Sequence, residues 1–324
     1  MRMSGMIEKE SIFNAFTERA HIWQEFEESY EFFPEIYQSG FLIAILLSIV
    51  GVLVVARNQI FIGAAITQTS TFGISIALSI VGLEAMSDST GQARQDLILR
   101  YSIIAATICT IWAFVDKSFF LSLFQKLKIP VSPSKESAGK TKEDITGWLF
   151  LLSSAGAIVL VSNTPLGMEE IKKITLSSII GAEDSDVGFL AYLLTLVLIL
   201  IIPFINAIVL TFTDRNYAMS LRIPVTIIEF IFALLMGVIL GTTLKISGTL
   251  YTFGCLILPV LVASNLCKNT RILFILSPII AIISVFFGFA LGNYYNIPQA
   301  QLTIFLMCLL LPVAKLYKLI FIRN

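Results

Sequence analysis

Long apolar runs separated by short polar turns dominate this chain. A helix needs about 20 mostly apolar residues to cross the hydrocarbon of a bilayer. On that rule the pattern predicts about nine spans, at 39–56, 60–83, 98–116, 147–163, 187–213, 223–244, 246–266, 271–291 and 298–317. The expected fold is therefore all-α, a polytopic transmembrane helical bundle over 39–324. An acidic, aromatic-rich amphipathic segment, 1–38, precedes it; its stretch 8–38 has helix-like apolar spacing and is expected on the membrane surface. Residues 174–182 (ITLSSIIGA) are too short to cross and are predicted to be re-entrant or interfacial. Segment 117–146 is the long polar insertion, rich in Pro, Ser and Lys as a solvated cytoplasmic loop should be.

Composition agrees with this reading. Of the 324 residues 56% are hydrophobic and only 14% charged, well above the apolar share of about 45–50% in soluble domains. Twenty-two basic residues balance 22 acidic ones, so no bulk charge points to nucleic acid. The distribution of charge is informative, because Lys and Arg favour the cytoplasmic side. Placing the turn after the first span inside puts Arg57, Lys117 to Lys142, Arg215, Arg222, Lys268, Arg271, Lys315, Lys318 and Arg323 there, the majority of the 22. The C-terminus is then inside, and an odd number of spans leaves the N-terminus outside. Cys109, Cys255, Cys267 and Cys308 lie in or beside apolar runs without CxxC spacing, as packing residues do. The single histidine, His21, precedes every run, so a His-built metal site or catalytic triad inside the membrane is excluded. The Glu-rich first 40 residues also argue against a cleavable leader.

Three places carry candidate chemistry. Within FIGAAITQTSTFGISIA (61–77), Thr67, Gln68, Thr69, Ser70 and Thr71 are consecutive polar residues in apolar surroundings. Polar side chains in hydrocarbon must face a partner helix or a wetted cavity. Both readings stay open: a pathway lining, or hydroxyl contacts between helices. Glu229 is the one carboxylate well inside an apolar run, at about 9–10 Å from the cytoplasmic boundary by helix rise. It is either a functional acid or a group that snorkels or pairs with Arg222. The loop TDRNYAMSLRIPV (213–225) reads as a connector or as a short amphipathic helix for a soluble partner. Two G-x-x-x-G pairs, Gly237/Gly241 and Gly288/Gly292, read as close helix contacts. Pro203, Pro224, Pro259, Pro278 and Pro312 should kink or start helices. The GKT at 139–141 is no phosphate loop, because Ser134 stands where the first glycine belongs and no strand precedes it.

Three further stretches carry a resemblance. GVLVVARNQIFIGAAITQTSTFGISIAL (51–78), DRNYAMSLRIPVTIIEF (214–230) and SGTLYTFGCLILPVLVASNLC (247–267) resemble, in the correct order, motifs of the integral-membrane permeases of ABC importers for zinc, manganese and iron. The likeness runs from about 41 to 318. It implies a type II importer-like permease of the bacterial inner membrane, working as a homodimer or heterodimer. A separate ABC ATPase would bind inside, through a coupling helix at 214–222 with Asp214, Arg215, Tyr217, Ala218 and Leu221. An extracytoplasmic metal-binding protein would dock outside. ATP would be hydrolysed on the partner, so the chain itself is no enzyme and holds no cofactor; its cargo would be a divalent metal. The family's Asp and His metal positions fall on Ala64 and Gln68, and its glycine of the cytoplasmic motif on Arg222. With both strong ligands replaced, Gln68, Thr67 and Thr71 are the expected conduit lining, with Glu229 as a weaker candidate. An amide oxygen suits harder ions such as Mn²⁺ better than Zn²⁺. The alternatives are a permease of the same architecture for another cargo, one acting only beside a sister permease, or a non-transporting membrane scaffold.

Overall fold

The computed structural model describes residues 24–57, 59–84, 91–114, 140–162, 182–267 and 269–321. The leading residues 8–23, most of the 117–146 insertion and residues 174–181 lie outside them. The described part is helical: α1 (24–32), α2 (Pro34–Ala56), α3 (Ile60–Glu84), α4 (Gly91–Phe114), α5 (Lys140–Val161), α6 (Asp184–Thr213), α7 (Arg215–Ser220), α8 (Val225–Leu266), α9 (Thr270–Tyr294) and α10 (Gln299–Phe321).

Among the described residues each predicted apolar run falls on a helix. Among the described residues six helices, α2, α3, α6, α8, α9 and α10, are long and apolar enough to cross a membrane on their own. The apolar part of α5 is the shorter Thr146–Val161. Its first turns, from Lys140, are drawn from the polar stretch expected as loop.

Helix α8, at 42 residues, contains two of the predicted spans, and its break is a single residue. Gly248 has φ 77° and ψ 174°, a left-handed conformation that only glycine adopts without a steric cost. The two halves, α8a (225–247) and α8b (249–266), run in opposite directions. Glu229 lies beside Arg57 at the C-terminal end of α2, Tyr251 Oη donates to the Gly40 carbonyl near its other end, and the Leu256 carbonyl returns to Gly51. The turn is therefore a hairpin that brings both ends of α8 to the Arg57 side.

Helix α2 is the axis of the bundle. It is buried along most of its length, against α6, both halves of α8, and α9, as expected of a helix apolar on every side. Between helices in lipid there is no water to expel, so close backbone approach and cross-helix hydrogen bonds replace hydrophobic burial as the binding force. Both are present. A Cβ on Gly237 or Gly241 would strike the backbone of Thr107 or Ile103 on α4, and one on Gly288 would strike Thr303 on α10. Both G-x-x-x-G pairs thus serve as packing surfaces. Pro203, Pro259, Pro278 and Pro312 all sit inside helices, whereas Pro224 caps α8.

At the end of the bundle opposite Arg57, α1 lies across α2 and α9. The Phe26 ring meets Tyr37 edge-on at 5.2 Å and Phe286 at 5.4 Å, and Tyr37 Oη donates to Ser29 Oγ. The described part of the amphipathic segment is seated on the protein at this end by aromatic contacts, while Phe32 and Phe33 remain exposed.

Candidate functional site

The polar run on α3 divides between two tasks. Thr69 Oγ1 lies 3.0 Å from Ser153 Oγ on α5 and also donates to the Ala65 carbonyl. Ser70 Oγ lies 2.6 Å from Ser102 Oγ on α4, and Ser102 donates onward to the Gly241 carbonyl of α8a at 2.8 Å. Further along, Ser79 Oγ reaches the Leu160 carbonyl of α5. These hydroxyls hold three helices to α3, at about 0.6 kcal/mol for an average bond of this kind in a membrane. Thr67 and Thr71, two of the expected conduit residues, are only 2% and 3% exposed and donate to the Ala64 and Thr67 carbonyls of their own helix. In this conformation they are sealed.

Gln68 differs. It is half-buried, and among the described residues its amide has no hydrogen-bond partner. It shares one helical face with Phe61, Phe72 and Ser79, at spacings of seven, four and seven residues. That face runs beside α5, where Phe61 meets Phe150 at 5.3 Å and Phe72 covers Gly156. Ala64, one turn back, is buried. Of the three residues read as conduit lining, Gln68 alone presents an available polar group along a partly open strip. Among the described residues no three His, Cys, Asp or Glu side chains converge as a metal site would need.

The second site lies at the end where α2, α6 and α8a finish or begin. Asp214 caps α7, its carboxylate accepting from the Tyr217 amide at 3.0 Å. Within α7 Ala218 is fully buried, while Tyr217 and Met219, with Leu221 at the C-cap, are about half exposed. One small residue thus seats the helix, and three large apolar ones face away from the bundle. Beneath it is Glu229, only 1% exposed. The expected partner Arg222 is not the one observed. Glu229 Oε1 is 3.0 Å from Arg57 Nη2 and 3.4 Å from Arg215 Nε. Arg57 also lies over the Phe212 ring, with its guanidinium carbon 5.7 Å from the centroid. One carboxylate therefore links the end of α2, the start of α7 and the start of α8a, and Phe212 adds the end of α6. Sequence reasoning missed Arg57; the available signal was its place as the basic residue in the turn between the first two apolar runs.

Arg222 is instead exposed, with φ 59°. A side chain in the left-handed region costs roughly 1 kcal/mol that glycine would not incur. Its neighbours line an apolar cavity of about 460 Å³ between α2, α6 and α8a.

Residues 29–318 match the model of the ABC 3 transport family. A curated relative from Thermotoga maritima, named "Probable metal transport system membrane protein", is 24% identical over 275 residues, 85% of this chain and 86% of the relative. One from Haemophilus influenzae, "Probable iron transport system membrane protein", is 24% identical over 56% of this chain, which spans 64% of that relative's length. A third, "High-affinity zinc uptake system membrane protein ZnuB" from Buchnera aphidicola, is 22% identical over 54% of this chain and 67% of its own. Among solved structures, PsaBC from Streptococcus pneumoniae in complex with Fab superimposes with TM-score 0.68 at 16% identity, covering 90% of this chain and 94% of that one. An inward-facing ABC transporter assigned to the metal-chelate type gives TM-score 0.66 at 17% identity, covering 90% and 88%. At such identities the structural likeness is one of fold.

Proposed function

The chain belongs to the ABC 3 transport family, and we propose that it is the membrane-spanning subunit of an importer that moves a divalent transition metal across the bacterial inner membrane. A separate ATPase supplies the energy, docking on α7. The observation that carries this reading is the build of α7: a short helix seated by Ala218, outward-facing Tyr217, Met219 and Leu221, and a buried charge cluster beneath that joins it to three spanning helices. A push on α7 acts on Arg215 and so on the Glu229 and Arg57 ends of α8a and α2. Movement at the cytoplasmic face is thereby converted into movement of the axis of the bundle. The names of the three curated relatives, which mention metal, iron and zinc, support the cargo class.

In this reading the cargo passes along the α3 strip, and Gln68 is the polar group that meets it. A second copy or a sister permease faces that strip, and an extracytoplasmic metal-binding protein delivers the ion. The sister-subunit version is favoured by one observation: Ala64 and Gln68 offer no carboxylate and no imidazole, so a partner would have to supply the stronger ligands.

The test is association. Tyr217→Glu combined with Leu221→Glu places two charges on the docking face without touching the seat at Ala218. Membrane insertion is expected to be unchanged and co-purification of the ATPase to be lost. Undiminished co-purification would contradict the assignment of α7 as the docking element.

A further inference from the structure

The apolar cavity beside Arg222 is not used by the transport reading. It lies in the half of the bundle that ends at Arg57, between Leu53 of α2, Ile201 and Phe204 of α6, and Ile231 and Met236 of α8a, with Arg222 among its lining. Phe204 and Ile231 are both exposed, so the cavity opens sideways between large apolar side chains. In a membrane that opening faces acyl chains of the cytoplasmic leaflet. Its volume of about 460 Å³ lies within the roughly 300–1,000 Å³ of sites that enclose small ligands.

The cation at its edge is the informative feature. Arg222 stands at a position whose φ of 59° favours glycine. A residue held in a disfavoured conformation is a reason to look for a task. Among the described residues Arg222 has no ion-pair partner. The nearby carboxylates are engaged elsewhere, Glu229 by Arg57 and Arg215, and Asp214 by the cap of α7. A guanidinium at the cytoplasmic rim of a lipid-facing apolar slot is complementary to a ligand with an anionic head and a hydrocarbon tail. Basic pockets between spanning helices on that side take such headgroups.

We propose that this groove binds an anionic phospholipid of the inner leaflet, its phosphate against Arg222 and one acyl chain between α2, α6 and α8a. Arg222 stands two residues past α7, its amide donating to the Met219 carbonyl, so the bound lipid braces the segment on which the soluble partner is proposed to dock. The lipid site rests on the groove and its cation alone and stands whatever the cargo is.

Native mass spectrometry of the detergent-purified full chain tests it, with phosphatidylglycerol and phosphatidylcholine of identical acyl chains added in equal amounts. Wild type should retain phosphatidylglycerol with a preference of about fivefold, the scale of one basic residue at an anionic surface. Arg222→Gly removes the cation and relaxes the backbone, so it should fold at least as well and show no preference; Arg222→Lys should keep it. Ile208→Trp, filling the groove, should lower retention of both lipids. A headgroup without chains, glycerophosphoglycerol, should not compete, which separates a lipid site from a phosphate site. Equal retention of the two lipids by wild type, or an undiminished preference in Arg222→Gly, would overturn the proposal. So would a lipid-free species in which a second copy covers the groove.

Discussion

Glu229 is held by two guanidiniums at a depth where it has almost no contact with solvent, and among the described residues its other oxygen, Oε2, has no hydrogen-bond partner. Such a cluster is an arrangement more than a source of stability, because the cost of taking Glu229 and Arg57 out of water offsets most of their attraction, and Arg215 stays about a third exposed. Its value shows when one member is deleted. Glu229→Gln keeps the shape and takes from Arg57 and Arg215 the carboxylate they share. The expected loss is about 3–5 kcal/mol, the range for breaking a buried pair, read as a fall in thermal midpoint in detergent. Arg57→Gln combined with Glu229→Gln should recover part of it, since the guanidinium that lies 3.0 Å from the lost carboxylate is removed with it. A midpoint unchanged in Glu229→Gln would show that the three groups are not energetically linked. Arg222 gives the opposite sign at the same scale. Arg222→Gly should raise stability by about 1 kcal/mol in lipid-free detergent, by removing a left-handed side chain. A loss there would mean that the guanidinium has a structural partner within the chain.

At the scale of elements, most of the fold could be read from the apolar runs, because the bilayer imposes a length on every span and leaves its backbone no alternative to the helix. Pairing of the elements was less legible. Whether five consecutive hydroxyl and amide residues face a path or a neighbour depends on what stands opposite each, and Ser102, Ser153 and Gly241 come from three separate helices. The partner of Glu229 was hidden in the same way. Arg222 is near in sequence but its positive φ turns the chain away, whereas Arg57 arrives from the end of α2. The start of α7, by contrast, is marked in the sequence by Asp214, whose side chain caps it. The seat of that element yields a sharp prediction. Ala218 is fully buried, so Ala218→Leu must lift α7 from the bundle. ATPase association should fall while the thermal midpoint drops by no more than a few degrees, since only a six-residue helix is displaced. Full association in this variant would show that the helix tolerates being moved and does not dock rigidly.

Across the whole molecule the open features lie on different helices. The axis α2 is enclosed; the strip carrying Gln68 runs along α3 and α5, and the groove with Arg222 lies between α2, α6 and α8a. A path for a cation must be built on a surface whose polar groups are not already consumed by packing. On α3 that leaves Gln68, because Thr69 and Ser70 tie helices together and Thr67 and Thr71 bond to their own backbone. A neutral amide oxygen loses one contact to the ion when removed, worth about 1 kcal/mol, so Gln68→Ala should slow uptake by roughly fivefold without changing assembly. The measurement is metal entry into proteoliposomes holding this chain and its ATPase, with Mn²⁺, Zn²⁺ and Fe²⁺ compared. Harder ions that prefer oxygen should suffer most. Ala64→Asp with Gln68→His, one turn apart on the same face, should move selectivity toward Zn²⁺, which prefers imidazole and carboxylate. Equal uptake of all three ions by wild type and Gln68→Ala would take the α3 strip out of the pathway and leave α7 as the surviving part of the transport reading.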